Sequence, residues 1–405
     1  MKIYISGISG TGMGPLALMA KEAGFEVCGS DLERGAIYGE LVSAGIEVVV
    51  GRQDGGYLAE KLAEGVDWFV YTSALPDDHP ELVMAREAGI KCTKRDDLTE
   101  FLIRELGLKL VAVAGTHGKT TTTAMIVWAS LQLGLPVAYI VGTTLGFAPS
   151  GAYKKEDKYF VYEADEYDRN FLKFHPWLAV IPFVSYDHPD IYPTREDYEE
   201  AFLQFRAQCD KVIENAENDY EIRLAGEVRR IDAGLAVKAI LQMAPEIEIE
   251  KVVEVLNRFP GVGRRFEKLT DGVYTDYAHH PEEITATVEV AKEEAEMTGK
   301  KGVVVVYQPH QNTRQHEVRD EYRDAFSGVE KIYWLPTYLT RENPDLAVLT
   351  PEELIKGLSN SEVAEVVELG DELAEKLRKD VEDDYLVILM TAGPADGWLR
   401  DRFGG

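Results

Sequence analysis

Residues 111–125 read VAVAGTHGKTTTTAM, and they decide how this chain is read. A β-branched apolar run enters a glycine turn, and a lysine, four threonines and a helix-forming stretch follow. Such a loop cradles a polyphosphate. Its backbone N–H groups point inward, Lys119 reaches the β/γ oxygens, and the Thr120 hydroxyl serves Mg²⁺. The first helical turn adds partial positive charge. Val113 stands where the general phosphate-loop pattern has its first glycine, so the motif is incomplete. The bland alternative is an ordinary strand-to-helix turn, and the strand before and helix after favour phosphate binding.

Working outward, the acids and bases that follow fall at strand ends. KYFVYEADEYD is a strand ending in Glu163, Asp165 and Glu166, and LAVIPF leads to Asp187-His188. In parallel sheets, ligands collect beyond the carboxyl ends of strands. The convergence predicts a Mg–nucleotide site in which Glu163 and His188 serve the metal, directly or through water, beside Thr120. The stripe Tyr198, Ala201, Phe202, Phe205 and Cys209 reads as the core face of a helix capped by Thr194.

Toward the N-terminus, KIYIS is a strand, Gly7 to Gly14 a glycine turn, PLALMAKEAG a helix and FEVCGSD a strand ending at Asp31. That is the order of a dinucleotide-type βαβ unit, with an acid about 20 residues beyond the loop. Its GxxGxGxG spacing is weak evidence for any one ligand, and a NAD-linked dehydrogenase rests on this loop alone. Further strands are expected at 46–50 and 67–72. Toward the C-terminus, GVYTDYAHHP and GVVVVYQPHQNTR are strands ending in Asp276, His279 and His280, and in His310 and Arg314. The histidines lack metal-ligand spacing, so a ribose or a small acceptor suits them better than zinc. Arg264-Arg265 is either a solvated linker or a phosphate clamp. Alternating strands and helices imply mostly parallel sheets.

Composition sets the outer limits. The 405 residues carry a net charge of −28, which argues against broad nucleic-acid or anionic-membrane binding. An anionic substrate then needs a local cationic site. The three cysteines show no paired or metal-type spacing, which suits a reducing cytoplasm. No run of about 18 apolar residues is present, so no membrane insertion is expected.

GTHGKTTTTAM, EADEYD, DHPDIY, GRRFE, TDYAHHPEE and QPHQNTR together resemble the Mur ligases in order and spacing, over essentially the whole chain. GISGTGMGPLA, GSD at 29–31 and YTSALPDDHPE at 71–81 fit the same pattern. The resemblance implies an α/β fold of three domains. They are a Rossmann-like UDP-sugar domain over 1–107, a P-loop ATPase domain over 108–260 and a Rossmann-like amino-acid domain over 261–405, with a hinge near Gly261. It implies ATP-dependent joining of L-alanine to the lactyl carboxylate of UDP-N-acetylmuramate through an acyl phosphate, in peptidoglycan precursor synthesis in the cytoplasm. The protein is expected as a monomer or dimer.

The same resemblance implies that Gly115, Thr116, His117, Gly118, Lys119, Thr120 and Thr121 bind ATP phosphates and that Asp276 holds the ATP ribose. Thr120, Glu163 and His188 would serve magnesium, and Arg265 would lie near the phosphates. Gly10, Thr11, Gly12, Met13, Gly14, Asp31 and Ser73 would bind the UDP-sugar. His280, His310 and Arg314 would face the amino acid. The chain departs from the family at Gln311, at Phe183-Val184-Ser185 and at GEVRRIDAG (226–234), where adenine contacts are expected. A recycling ligase that adds a preformed tripeptide, and a non-catalytic nucleotide-sugar-binding protein, are the competing readings.

Overall fold

The computed structural model describes residues 1–51, 53–72, 75–188, 191–214, 220–340, 342–343 and 345–404. Its contacts divide the chain into two compact units, one of residues 1–222 and 231–259 and one of 223–230 and 260–405. The segments expected as first and second domains thus fall largely within one unit, although each has its own sheet.

The first sheet is built from β1 (Lys2–Ser6), β2 (Glu26–Asp31), β3 (Glu47–Val50), β4 (Trp68–Tyr71) and β5 (Lys91–Lys94). The order is β3-β2-β1-β4-β5, all parallel. Strand order reverses beside β1, and the glycine turn leaves β1 at that point. The helix Gly14–Glu22 follows, with Pro15 in its first turn, where a missing N–H costs nothing.

The second sheet holds β6 (Lys109–Val113), β7 (Val137–Ile140), β8 (Gly151–Ala152), β9 (Tyr159–Glu163), β10 (Leu178–Ile181) and β11 (Val212–Glu214). Its order is β11-β10-β6-β9-β7-β8, with only β8 antiparallel. The two strands expected to end in acids and His188, β9 and β10, therefore flank the phosphate-loop strand. A single apolar core runs beneath both sheets, from Ile3 and Leu16 through Ala112 and Phe160 to Tyr198 and Phe205. The stripe predicted on the helix Arg195–Ala207 lies in that core, with Cys209 packed at its margin. Thr194 and Asp197 form a reciprocal cap at the start of that helix.

The second unit has β12 (Glu267–Thr270), β13 (Val273–Asp276), β14 (Val303–Gln308), β15 (Lys331–Trp334), β16 (Ala364–Val366) and β17 (Leu386–Thr391). The order is β12-β13-β17-β14-β15-β16, with β12 antiparallel at one edge. β14 and β17 are buried at every residue, as parallel strands covered on both faces must be. The last strand in sequence inserts between β13 and β14, so the two motif-bearing strand ends are next-nearest neighbours.

No helix among the described residues is long and apolar enough to cross a membrane.

Candidate functional site

The loop between β6 and the helix Lys119–Gln132 is shaped by its neighbours as much as by its own sequence. Gly115 has φ +148° and Gly118, the residue capping the helix, has φ +81°, conformations a side chain resists. Both also lack room. A Cβ on Gly115 would lie 2.6 Å from the Phe183 carbonyl oxygen, and one on Gly118 would lie 2.8 Å from Asp232 Oδ1. The Thr116 N–H donates to the Phe183 oxygen at 2.8 Å. The Thr116 hydroxyl lies 2.7 Å from the Ser185 oxygen and 2.7 Å from the Tyr198 hydroxyl. The segment 183–185, a departure from the family pattern, thus serves as backbone support for the loop. The Phe183 ring stacks on His117 at 6.1 Å and stays 56 % exposed.

Lys119 is held before any ligand arrives. Its Nζ donates to the Gly115 oxygen at 2.5 Å and to Glu166 Oε2 at 2.8 Å, with the Thr116 oxygen at 3.3 Å. Glu166 is 1 % exposed, and its backbone oxygen accepts from the Tyr192 hydroxyl at 2.6 Å. Burial pushes its carboxyl up, but His188 and the Lys119 ammonium outweigh that and hold it below the ordinary glutamate range. His188 Nε2 lies 3.7 Å from Glu166 Oε1, an ion-pair separation too long for a hydrogen bond. That partner raises the imidazole pKa against the opposing effect of burial. His188 itself adopts φ +57°, in the left-handed region.

Thr120 and Glu163 meet as expected. The Thr120 hydroxyl donates to the Glu163 carboxylate at 3.0 and 3.1 Å. A hydroxyl and a carboxylate at a phosphate loop are the oxygen donors Mg²⁺ takes, alongside waters and phosphate oxygens. His188 Nε2 lies 3.7 Å from both the Glu166 and the Asp187 carboxylates. Among the described residues no three His, Cys, Asp or Glu side chains are grouped to hold a metal. Of the three residues expected at the metal, Thr120 and Glu163 are hydrogen-bonded to each other, and His188 lies against Glu166.

At the first glycine turn, Asp31 ties the loop down. Its Oδ2 accepts from the Ser9 N–H at 2.8 Å and the Ser9 hydroxyl at 2.6 Å, and Oδ1 accepts from the Leu32 N–H at 2.8 Å. The acid expected near a uridine is therefore committed to loop structure. Met13, expected at the sugar nucleotide, is 4 % exposed and belongs to the core, because it directly precedes a helix buried along most of its length. Gly10, Thr11 and Gly12 remain at the surface of the turn. Ser73 lies outside the described residues.

In the second unit, Asp276 is buried and accepts from the Phe266 N–H at 2.6 Å and the Ala278 N–H at 2.7 Å. Burial raises its carboxyl pKa, against the pull of Arg265 and those N–H groups. The acid expected at a ribose ties the residue before β12 to the loop that leaves β13. Arg264 donates to the Thr391 oxygen at 2.7 Å, and Arg265 lies over the Tyr277 ring at 5.2 Å.

His280 begins the helix Pro281–Met297, and Glu283 accepts from the N–H groups of His279 and His280 at 3.1 and 3.3 Å. Burial alone would raise Glu283, but His279, 3.2 Å away, holds it down at about 2. A carboxyl depressed in the folded state stabilises above its ordinary pKa and loses that contribution as pH falls toward the depressed value. On the order of 3 kcal/mol of the second unit's stability should disappear between about pH 5 and pH 2. Urea unfolding of wild type and Glu283→Gln across that range checks this. An equally steep acid limb in the variant would refute it.

His310 faces His279 edge-on at 5.8 Å and Tyr338 at 5.8 Å. Arg314 Nη1 is buried with no hydrogen-bond partner among the described residues. A buried guanidinium nitrogen left without an acceptor fits a carboxylate that arrives with a ligand. Glu342 positions this segment by accepting from the N–H groups of Asn312 and Thr313 at 3.0 and 3.1 Å. Neither Glu166 nor Glu342 was assigned a site role from sequence. Glu166 had a signal, three residues beyond Glu163 at the same strand end. Glu342 had none, because its partner is 30 residues away.

Comparison with known proteins covers the chain in three pieces. Residues 2–105 match the Mur ligase family catalytic domain, 113–254 the Mur ligase middle domain and 264–393 the Mur ligase glutamate ligase domain. A UDP-N-acetylmuramate–L-alanine ligase of Fusobacterium nucleatum is 30 % identical, over 97 % of this chain and 94 % of its own. One from Pelodictyon phaeoclathratiforme is 32 % identical over 84 % and 80 %. Among solved structures, the UDP-N-acetylmuramate–alanine ligase of Thermotoga maritima superposes with a TM-score of 0.80 at 25 % identity, covering 99 % and 98 %. A murein peptide ligase of Psychrobacter arcticus shares the fold, with a TM-score of 0.61 at 21 % identity. The chain belongs to the Mur ligase family.

Proposed function

We propose that this protein is an ATP-dependent ligase that joins L-alanine to the lactyl carboxylate of UDP-N-acetylmuramate, acting with Mg²⁺ in the cytoplasm. The observation that carries the reading is full-length similarity to L-alanine ligases combined with a lysine and acid set already in place at the phosphate loop.

The chemistry follows from the groups present. A carboxylate resists attack by an amine until one of its oxygens becomes part of a phosphate leaving group. Transfer of the ATP γ-phosphoryl group to the lactyl carboxylate gives that acyl phosphate. The amine of L-alanine then attacks the carbonyl carbon, and phosphate leaves from the tetrahedral intermediate. Lys119 neutralises charge on the transferring group, and the loop N–H groups hold the phosphates. Thr120 and Glu163 would hold Mg²⁺, which supplies further charge neutralisation when bound. Arg314, with its buried unpartnered nitrogen, would take the alanine carboxylate, and His280 and His310 would line that site. Arg265 would attend the phosphates, and Asp276 serves by fixing the chain that carries it. Gly10 to Gly14 would approach the UDP diphosphate.

Phosphate release with UDP-N-acetylmuramate across a panel of amino acids tests the reading. Turnover with L-alanine is expected to exceed that with a preformed tripeptide in direct competition. Turnover with tripeptide alone would establish the recycling activity instead. No release with any pair would indicate a binding protein without catalysis.

A further inference from the structure

The glycine turn after β1 contains no lysine or arginine from Gly7 to Gly14, and the protein as a whole carries a charge of −28. A diphosphate seated there needs a cation from elsewhere in the fold. Arg95 supplies one. It is the first residue of the helix Arg95–Glu105, directly after β5 at the sheet edge. A Cβ on Gly12 would lie 3.0 Å from Arg95 Nη1 and 3.9 Å from its Cδ. Gly12 does not have positive φ, so the missing side chain there provides room for the guanidinium rather than backbone freedom.

The guanidinium is oriented from its other edge. Arg95 Nε donates to Asp96 Oδ1 at 3.2 Å, and the Asp96 side chain is 4 % exposed. The same oxygen accepts from the Tyr162 hydroxyl at 3.4 Å, and Lys173 Nζ lies 3.9 Å from Oδ2. Asp96 is therefore fixed from three sides. The two Nη groups of Arg95 have no hydrogen-bond partner among the described residues, and the side chain is 28 % exposed. Lys94, its neighbour, is turned instead toward Asp168 at 3.6 Å.

We propose that Arg95 binds the diphosphate of the nucleotide sugar over the glycine turn, with Asp96 as the positioning residue that aims its free edge. A guanidinium presents two parallel N–H donors to phosphate oxygens, whereas the turn offers only neutral N–H groups. The proposal rests on the nucleotide-sugar reading of this turn.

Calorimetric titration of the full chain with UDP and with uridine separates the terms, and ATP binding reports an intact fold. Arg95→Ala is expected to weaken UDP binding about 10- to 100-fold while leaving uridine and ATP binding unchanged. Arg95→Lys, which keeps a charge over Asp96 but loses the fork, should fall between. Gly12→Ala should weaken UDP through displacement of Nη1. UDP binding at the wild-type level in Arg95→Ala and Gly12→Ala would overturn the assignment and leave the reading of the turn intact. Equal loss of UDP and uridine would overturn it as well, because the effect would not be on the diphosphate. Failure of the wild type to bind UDP would remove both the reading and the proposal.

Discussion

Lys119→Ala is expected to lower phosphate release about 1000-fold, with the fold retained. The size follows from preorganisation. The ammonium is held at the loop by the Gly115 oxygen, the Glu166 carboxylate and the Thr116 oxygen, so meeting a γ-phosphate takes only the exchange of one of these acceptors for a phosphate oxygen. Charge that is already aimed is worth most where charge is redistributed in the transition state. Lys119→Met keeps the apolar stem and should be as inactive as alanine, which separates lost charge from lost packing. Phosphate release under saturating substrates, with circular dichroism on the same samples, decides the matter. A variant that turns over within about tenfold of the wild type would remove Lys119 from the reaction.

The parts of this site legible in sequence were those set by local order. A β-branched run, two glycines and a lysine define one strand, one turn and one helix, and all three lie where expected, with β6 at Lys109–Val113 and the helix at Lys119–Gln132. The rule that ligands gather at strand ends brought Glu163 correctly to Thr120, because β9 is a neighbour of β6 in the sheet. The α/β class with mostly parallel sheets followed from the same alternation.

What sequence did not disclose was the partner each polar group would take. Asp31 and Asp276 stand at the positions where an acid contacts a ligand in a βαβ unit. In the folded chain each is claimed by backbone N–H groups at 2.6 to 2.8 Å. An acid at a strand end serves either role, and only the path of the following loop distinguishes them. Met13 went to the core because a glycine turn one residue shorter than its quoted span leads straight into a buried helix. His188 met Glu166 because a left-handed backbone at φ +57° redirects the end of the β10 loop, and no residue type at 188 announces that. The edge strand β5 was not anticipated, and with it Arg95 was missed.

Glu166 carries the second large expectation. Its carboxylate, 1 % exposed, balances Lys119 at 2.8 Å and His188 at 3.7 Å. Truncation to alanine leaves the Lys119 ammonium without its buried acid and opens a small cavity. Loss of one partner of a buried pair costs about 3 to 5 kcal/mol, so Glu166→Ala should lower the unfolding free energy of the first unit by that order. Glu166→Gln keeps the volume and an oxygen for the lysine, so it should lose much less stability. The two variants separate support of the fold from support of the chemistry. If Glu166 holds Lys119 in register with the phosphates, Glu166→Gln should still cut turnover about tenfold while its thermal midpoint stays near that of the wild type, because a neutral amide positions the ammonium less firmly than a carboxylate. Full turnover in Glu166→Gln, alongside a destabilised Glu166→Ala, would make this acid a structural counter-ion and leave the aim of Lys119 to the Gly115 and Thr116 carbonyls alone.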